Sequence, residues 1–286
     1  VKEPRFQKAA ILGVGLLGAS VALAMREKGI CDKIAGYGRT EENLKRAKKA
    51  GIIDLYFMEP AAAVDGADLV VLCTPVGMFT EVAASLKPGL TKGSLVTDVG
   101  SVKGNLVSEL EALMPDKVHF IGSHPIAGGD KSGIDEARKD LFSGVRCVVT
   151  PTPKSDGDAL KEICALWKSV GGRVEVMDPF LHDEILALVS HLPHLVAYAL
   201  VNTVGSIDPE RIDYSGGGFR DTTRIAMSSP ELWRDISMFN RDNLLKVLGV
   251  FRDELGRIER CVKDNDWEGL EKEYARAQQL RSEMKQ

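Results

Sequence analysis

Cysteine is scarce in this chain and unpatterned. Cys31, Cys73, Cys147, Cys164 and Cys261 are odd in number and form neither a CxxC pair nor a zinc-type spacing. That leaves no framework for a disulfide scaffold or a structural zinc, and free thiols in a reducing cytoplasm are expected. Long basic tracts are missing too. Lys and Arg total 37 against 41 Asp and Glu, a formal net charge of -4, so nothing points to nucleic acid or to an anionic membrane surface. No apolar run reaches the ~18 residues that a membrane span needs. The start, Val1-Lys2-Glu3-Pro4-Arg5, lacks a signal-peptide pattern and is expected to lead directly into a strand. Internal repeats and low-complexity tracts are absent. What remains is ordinary soluble-enzyme composition: 286 residues, 44% hydrophobic and 27% charged, enough for about two domains.

Up to about residue 180, short β-rich runs alternate with helical ones. The strand candidates are Lys8–Gly13, Lys33–Tyr37, Leu69–Cys73, Ser94–Asp98, His119–Ile121, Arg146–Thr150 and Arg173–Met177. Near-continuous apolar strands in such alternation predict an α/β Rossmann-type fold with a doubly wound, largely parallel sheet. From Phe180 the pattern turns helical, with Ile185, Leu188, Val189, Leu192, Val196 and Leu200 on one stripe. Pro193 falls inside this helix and should kink it. Ser215-Gly216-Gly217-Gly218-Phe219 breaks the pattern, and long helices resume from about Pro230. The expected division is therefore a dinucleotide-binding domain, 1–179, and an all-α helical domain, 180–286. An elongated helical domain of this kind often pairs with a copy of itself.

Gly13-Val14-Gly15-Leu16-Leu17-Gly18 is a GxGxxG loop set between a strand and a helix. Gly13 would make the tight turn, Gly15 would let a pyrophosphate approach the backbone, and Gly18 would allow close helix–strand packing. The helix N-terminus, at Leu16 and Leu17, favours the phosphate charge. An acid that holds the ribose hydroxyls is expected about 20 residues past the last glycine. The sequence there reads Gly36-Tyr37-Gly38-Arg39-Thr40, with no carboxylate. Arg39 can hold a 2′-phosphate, which favours NADP over NAD; alternatively it stacks on adenine and NAD binds. Thr74 and Pro75 end one buried strand and Ser101 follows another, so all three should neighbour the ligand.

Ile121-Gly122-Ser123-His124-Pro125-Ile126-Ala127-Gly128-Gly129-Asp130 sets one imidazole among residues too small to bury it. His124 is expected to face a cavity. A histidine beside a nicotinamide suits oxidation of an alcohol or hydroxy acid, because a base must take the hydroxyl proton as hydride leaves carbon.

The glycine loop, Val96-Thr97-Asp98-Val99-Gly100-Ser101-Val102-Lys103, the His124 segment, Ser190-His191-Leu192-Pro193-His194 and Gly216–Arg224 occur in one order. Together they resemble the prephenate/arogenate (cyclohexadienyl) dehydrogenase family of tyrosine biosynthesis, over nearly the whole chain. The resemblance implies a Rossmann domain, a helical dimerisation domain and a homodimer. It implies oxidative decarboxylation of prephenate or arogenate, with hydride passing to NAD or NADP. Within it His124 matches the catalytic histidine that accepts the C4-hydroxyl proton. Ser101 matches a serine that hydrogen-bonds to that hydroxyl and to the imidazole. Arg224 matches the arginine for a substrate carboxylate. Arg220 is a second candidate, with a salt bridge to an acid such as Asp221 as its other use. His194 matches a histidine facing the substrate, while His191 is divided between a supporting and a structural role. Trp233 matches a pocket tryptophan or packs a helix face. Asp130 stands where relatives carry Glu, and if it reaches the substrate it favours the amino group of arogenate. His119 and His182 receive no chemistry. A metal site from His191 and His194 lacks a third ligand. The helices run to Gln286 with no regulatory domain expected after them, so tyrosine would have to act at the active site.

The competing reading is a β-hydroxyacid-dehydrogenase-like or other Rossmann oxidoreductase. Those hydroxyacid enzymes use a lysine on the first long helix of the second domain, and 183–202 holds none. A non-catalytic nucleotide-binding protein would leave the convergence of Ser101, His124, His194 and Arg224 unexplained.

Overall fold

The computed structural model describes residues 4–128 and 133–284. The first part alternates as its sequence predicts. β1 (Phe6–Leu12), α1 (Leu16–Glu27), β2 (Cys31–Tyr37), α2 (Glu41–Lys49), β3 (Leu55–Phe57) and α3 (Pro60–Val64) come first. β4 (Leu69–Leu72), α4 (Phe79–Leu86), β5 (Leu95–Asp98), α5 (Gly104–Leu113) and β6 (His119–Pro125) follow. β7 (Arg146–Thr150), α6 (Gly157–Ser169) and β8 (Arg173–Val176) complete the sheet. Its order is β3-β2-β1-β4-β5-β6-β7-β8. The strands are parallel except that β7 runs antiparallel to β6. Every residue of β4 and β5 is buried, because helices cover both faces of the sheet. Along β1 the side chains alternate between two cores: Ala9 and Ile11 pack into one layer, Ala10 and Leu12 into the other.

Strand order reverses between β1 and β4, so the crevice at their carboxyl ends is the topological switch point. Leu12 pairs with Leu72 and Leu72 with Asp98, which brings the three strand ends to one edge.

The structure departs from the sequence expectations in four places. β3 was not expected; three residues are too few for periodicity to register. β6 extends four residues beyond Ile121, so His124 lies within a strand and not on a loop. The glycine run at 216–218 does not end the helical region. Gly216 caps α9 (Gly217–Thr223), which contains the other two glycines. The absence of a membrane-length apolar run is also overturned: Pro179–Ile207 forms one continuous 29-residue helical stretch, long and apolar enough by length and composition to cross a membrane. Ser190, His191 and His194 interrupt the apolar run, but the Ile, Leu, Val and Ala around them outweigh these residues in a window average.

That stretch comprises α7 (Pro179–Leu186), a π-helical turn at Ala187–His191, and α8 (Leu192–Ile207). Asp178 caps α7 by accepting the N–H groups of Phe180 and Leu181, and Pro179 fits the first turn, where its missing donor costs nothing. Pro193 has no N–H to give four residues back, and the wider π turn directly precedes it. α10 (Pro230–Phe239), α11 (Arg241–Lys263) and α12 (Trp267–Ser282) follow. The chain forms two compact units, Val1–Asn240 and Arg241–Gln286. The second is a helical hairpin in which Arg276 of α12 pairs with Glu254 of α11 at 2.7 Å.

Candidate active site

The glycine loop folds as a cradle. Gly13 has φ +108°, and a Cβ there would lie 2.6 Å from the Cys73 carbonyl carbon and oxygen. A Cβ on Gly18 would collide with the Gly13 carbonyl oxygen. Gly15 faces open space, with nothing within 4 Å of the position a Cβ would take. Two glycines are thus required by the protein itself, and the third leaves room for something else. Leu16 and Leu17 open α1 with N–H groups that have no partner inside the helix, while their side chains pack on the core. Beside the loop is a cavity of about 400 Å³ lined by Gly13, Gly15, Arg39, Thr40, Thr74 and Pro75, among others. Among the described residues its lining contains no carboxylate. Among the described residues the buried Thr74 hydroxyl has no hydrogen-bond partner, as expected of a group that awaits a ligand. Asn43, which the sequence reading missed, also lines the cavity and donates to the Val14 carbonyl at 2.9 Å, fixing the loop. The arrangement fits a dinucleotide.

At the same edge of the sheet, His124 lies near the carboxyl end of β6. It is only 7% exposed, which corrects the expectation that small neighbours leave it unburied. The covering comes from α7, far away in sequence. His124 Nδ1 is 2.8 Å from His182 Nε2, and His182 Nδ1 is 2.8 Å from Asp183 Oδ1. The two rings meet edge to face. Burial above all, and then the charges of His182, Lys103 and His191, hold the His124 pKa well below the ordinary histidine value. His124 is therefore neutral near pH 7, the state a base needs. Burial also lowers His182, against the opposing pull of Asp183.

A second buried set braces this one. Asp98, at the end of β5, accepts from the backbone N–H groups of Gly100 and Ser123, and its Oδ2 meets Lys103 Nζ at 2.5 Å. Lys103 Nζ also donates to the Gly100 carbonyl at 2.8 Å. Both side chains are 1% exposed, and an ion pair this deep needs such satisfied geometry to offset its desolvation. The sequence reading gave His182 no chemistry and assigned no site role to Asp183 or Lys103, whereas His182 bonds both His124 and Asp183. A histidine at the fourth position of an amphipathic helix gives no local signal that its partner is another histidine.

On the helical side, the His194 ring stacks on Trp233 at a centroid distance of 3.5 Å, and His191 meets the same indole edge-on. Trp233 is buried between the two imidazoles, so it packs whatever else it does. His194 Nδ1 donates to the Ser190 carbonyl, which leaves Nε2 as its acceptor. Its pKa is lowered by burial and, more weakly, by the Arg224 charge. Arg224 is exposed at the start of the short turn after α9. Arg220 donates to the Ser215 hydroxyl rather than pairing with Asp221. His191 is pushed down to about 4, chiefly by burial; its Nδ1 meets Asn240 and its ring lies toward the Ser101 carbonyl. Ser101 is half-buried past the end of β5 and, among the described residues, makes no hydrogen bond to His124. Asp130, Lys131 and Ser132 lie outside the described residues. No group of three or more metal-ligating side chains occurs among the described residues.

A doubly wound sheet with a phosphate cradle at its switch point and a neutral imidazole on the same edge defines a nucleotide-dependent dehydrogenase. Comparison with known proteins gives the family. The nucleotide-binding domain of prephenate dehydrogenase matches residues 21–176, and the dimerization domain of prephenate dehydrogenase matches 178–276. The chain is 34% identical to the cyclohexadienyl dehydrogenase of Zymomonas mobilis, over 98% of this chain and 97% of that one. A crystal structure of prephenate dehydrogenase from A. aeolicus, in complex with hydroxyphenyl propionate and NAD+, superposes with a TM-score of 0.93 at 40% identity, covering 99% of this chain and 100% of that one. Synechocystis arogenate dehydrogenase superposes at 0.81 with 29% identity, over 96% and 99% of the two chains. The chain belongs to the prephenate dehydrogenase family and is an oxidoreductase.

Proposed function

We propose that this protein oxidatively decarboxylates prephenate, or arogenate, at the corresponding step of tyrosine biosynthesis. The observation that carries the proposal is the neutral, buried His124 on the sheet edge that also holds the glycine cradle. NAD or NADP, held by Gly13, Gly15, Gly18, the amides of Leu16 and Leu17, Thr74 and Pro75, supplies the hydride acceptor. Arg39 and Thr40 would hold the ribose end, and the lack of a carboxylate among the described residues of the cavity lining supports a preference for NADP. The A. aeolicus relative was captured with NAD+, so the cofactor is the first point to measure.

His124 accepts the C4-hydroxyl proton as C4 is oxidised. The electron pair of the bond between C1 and its carboxylate then enters the ring, carbon dioxide leaves, and His124 returns the proton to the ring oxygen. No net proton is consumed, and aromatisation drives the sequence to 4-hydroxyphenylpyruvate. Ser101 orients the hydroxyl, Arg224 takes a substrate carboxylate as a bidentate partner, and His194 and Trp233 form the opposite wall. Asp130 would bias the pocket toward the amino group of arogenate. The boundary of the two functional domains falls at 179/180, where Asp178 and Pro179 start α7, and the family's dimerization domain supports a homodimer through the helical part. Five free cysteines accord with a reducing, cytoplasmic setting. Steady-state kinetics with each pairing of prephenate or arogenate and NAD or NADP test the reading. Reduced cofactor with at least one pairing supports it, and none with all four overturns it.

A further inference from the structure

The hydrogen bonds around His124 define which of its nitrogens is free. Asp183, as a carboxylate, can only accept. It receives the backbone N–H of Lys103 at 2.8 Å on the same Oδ1 that meets His182. It lies at the N-terminus of the ten-residue α5, where a Cβ on Gly104 would be 2.7 Å from Asp183 Oδ2. His182 must then carry its hydrogen on Nδ1. A neutral His182 presents a bare lone pair at Nε2, and among the described residues its hydrogen-bond partner there is His124 Nδ1. His124 must donate there, so its own lone pair is left on Nε2.

We propose that His182 and Asp183 are positioning residues that lock His124 as the Nδ1–H tautomer and steady the positive charge it gains. The inference rests on the proposed role of His124 as proton acceptor. In the other tautomer Nε2 would carry a hydrogen and the ring could not accept the substrate proton there. When Nε2 does take the proton, the bond from Nδ1–H to His182 becomes charge-assisted and strengthens. No proton has to leave His124 along the chain. His182 is fully buried and Asp183 is 4% exposed, so neither is there to meet solvent. Among the described residues, the charged and titratable groups around His124 are His182 and Asp183 from α7, Lys103 and Asp98 from the β5–α5 segment, and His191 from the π turn. The cationic Lys103 opposes charging of His124, which makes an acceptor for the Nδ1 hydrogen more necessary.

The test has two readouts. Long-range 1H–15N NMR of histidine-labelled protein, without substrate, reports the tautomer: Nδ1–H on His124 is expected, and Nε2–H overturns the proposal whatever the enzyme turns over. Kinetics with prephenate then compare His182→Leu, which removes the acceptor, with His182→Gln, whose amide oxygen can accept from Nδ1–H. The Leu variant should lose about 10²-fold in kcat with KM for prephenate and cofactor within about threefold, and its acid limb should move. The Gln variant should recover at least tenfold of that loss. Equal losses in two folded variants, or wild-type rates in both, overturn the proposal. Failure of the unaltered protein to oxidise any substrate removes the proposed function instead, while the NMR result still decides the tautomer.

Discussion

The cofactor cradle and the histidine cluster occupy one edge of one sheet, yet they are built differently. The cradle is backbone: three glycines within six residues, two of them forced by contacts with Cys73, Thr74 and Gly13 itself. The cluster is side chains drawn from β5, β6, α7 and the π turn, joined by buried hydrogen bonds. A backbone site keeps its shape when a side chain changes beside it. A buried polar network does not, because each member left without a partner bears its whole desolvation cost. The two halves should therefore fail in different ways.

The largest effect should come from the cluster. His124→Asn should lower kcat by about 10²- to 10⁴-fold while cofactor affinity, measured by fluorescence titration, stays near wild type. A loss of cofactor binding instead would erase the separation between the halves. A pH profile of the unaltered enzyme sharpens the electrostatics. In the proposed mechanism activity requires neutral His124, whose pKa is held well below 6.5, so the acid limb of kcat/KM should fall clearly below that value. An acid limb at or above 6.5 contradicts the burial argument.

Arg224→Ala should come next, with KM for the substrate rising about 10- to 100-fold, the worth of a charge-assisted hydrogen-bonded pair. An unchanged KM would remove Arg224 from the carboxylate site. Arg39→Asp should lower the ratio of NADP to NAD efficiency by about tenfold or more through repulsion of a 2′-phosphate; an unchanged ratio shows that Arg39 does not read the ribose.

Within the cradle itself the glycines should separate. Gly15 has φ −102° and open space around it, so Gly15→Ala should leave Tm within about 1 °C and raise cofactor KM several-fold. Gly13→Ala has both a positive φ and a backbone clash, and should lower Tm by several degrees. Equal melting points would mean that the loop is softer than its contacts imply.

The smallest effect is global. His124, His182 and His191 all have pKa values depressed by burial. Between about 6.5 and the folded value, near 4 for His191, the unfolded chain binds more protons than the folded one. Stability is thus fully present above 6.5 and is lost as pH falls through that window. Differential scanning calorimetry from pH 7 to 4.5 should show Tm declining by a few degrees or more, and His191→Phe should flatten part of the slope. A constant Tm would argue that these histidines are solvated.

Much of this was legible before the fold was known. The strand–GxGxxG–helix order specifies a cradle because backbone geometry over six residues is a local property, and seven of eight strands were visible as apolar runs. Leu55–Phe57 escaped because three residues carry no period. The environment of His124 was misjudged because its sequence neighbours are small, whereas its burial comes from α7. Trp233 resolved into a side chain clasped by two histidines of another helix, an arrangement that helix-face periodicity cannot foretell.

The sequence by itself determined the glycine cradle, the absence of an acid at the ribose position, the order of the domains and the identity of the histidine to watch. Each is carried by local sequence pattern and by the order of motifs along the chain. Only the tertiary structure decided that His124 is buried, that burial holds its pKa down, and that His182 and Asp183 stand behind it. Those facts depend on desolvation and on hydrogen bonds between residues 58 positions apart, and such contacts exist only once the chain has folded.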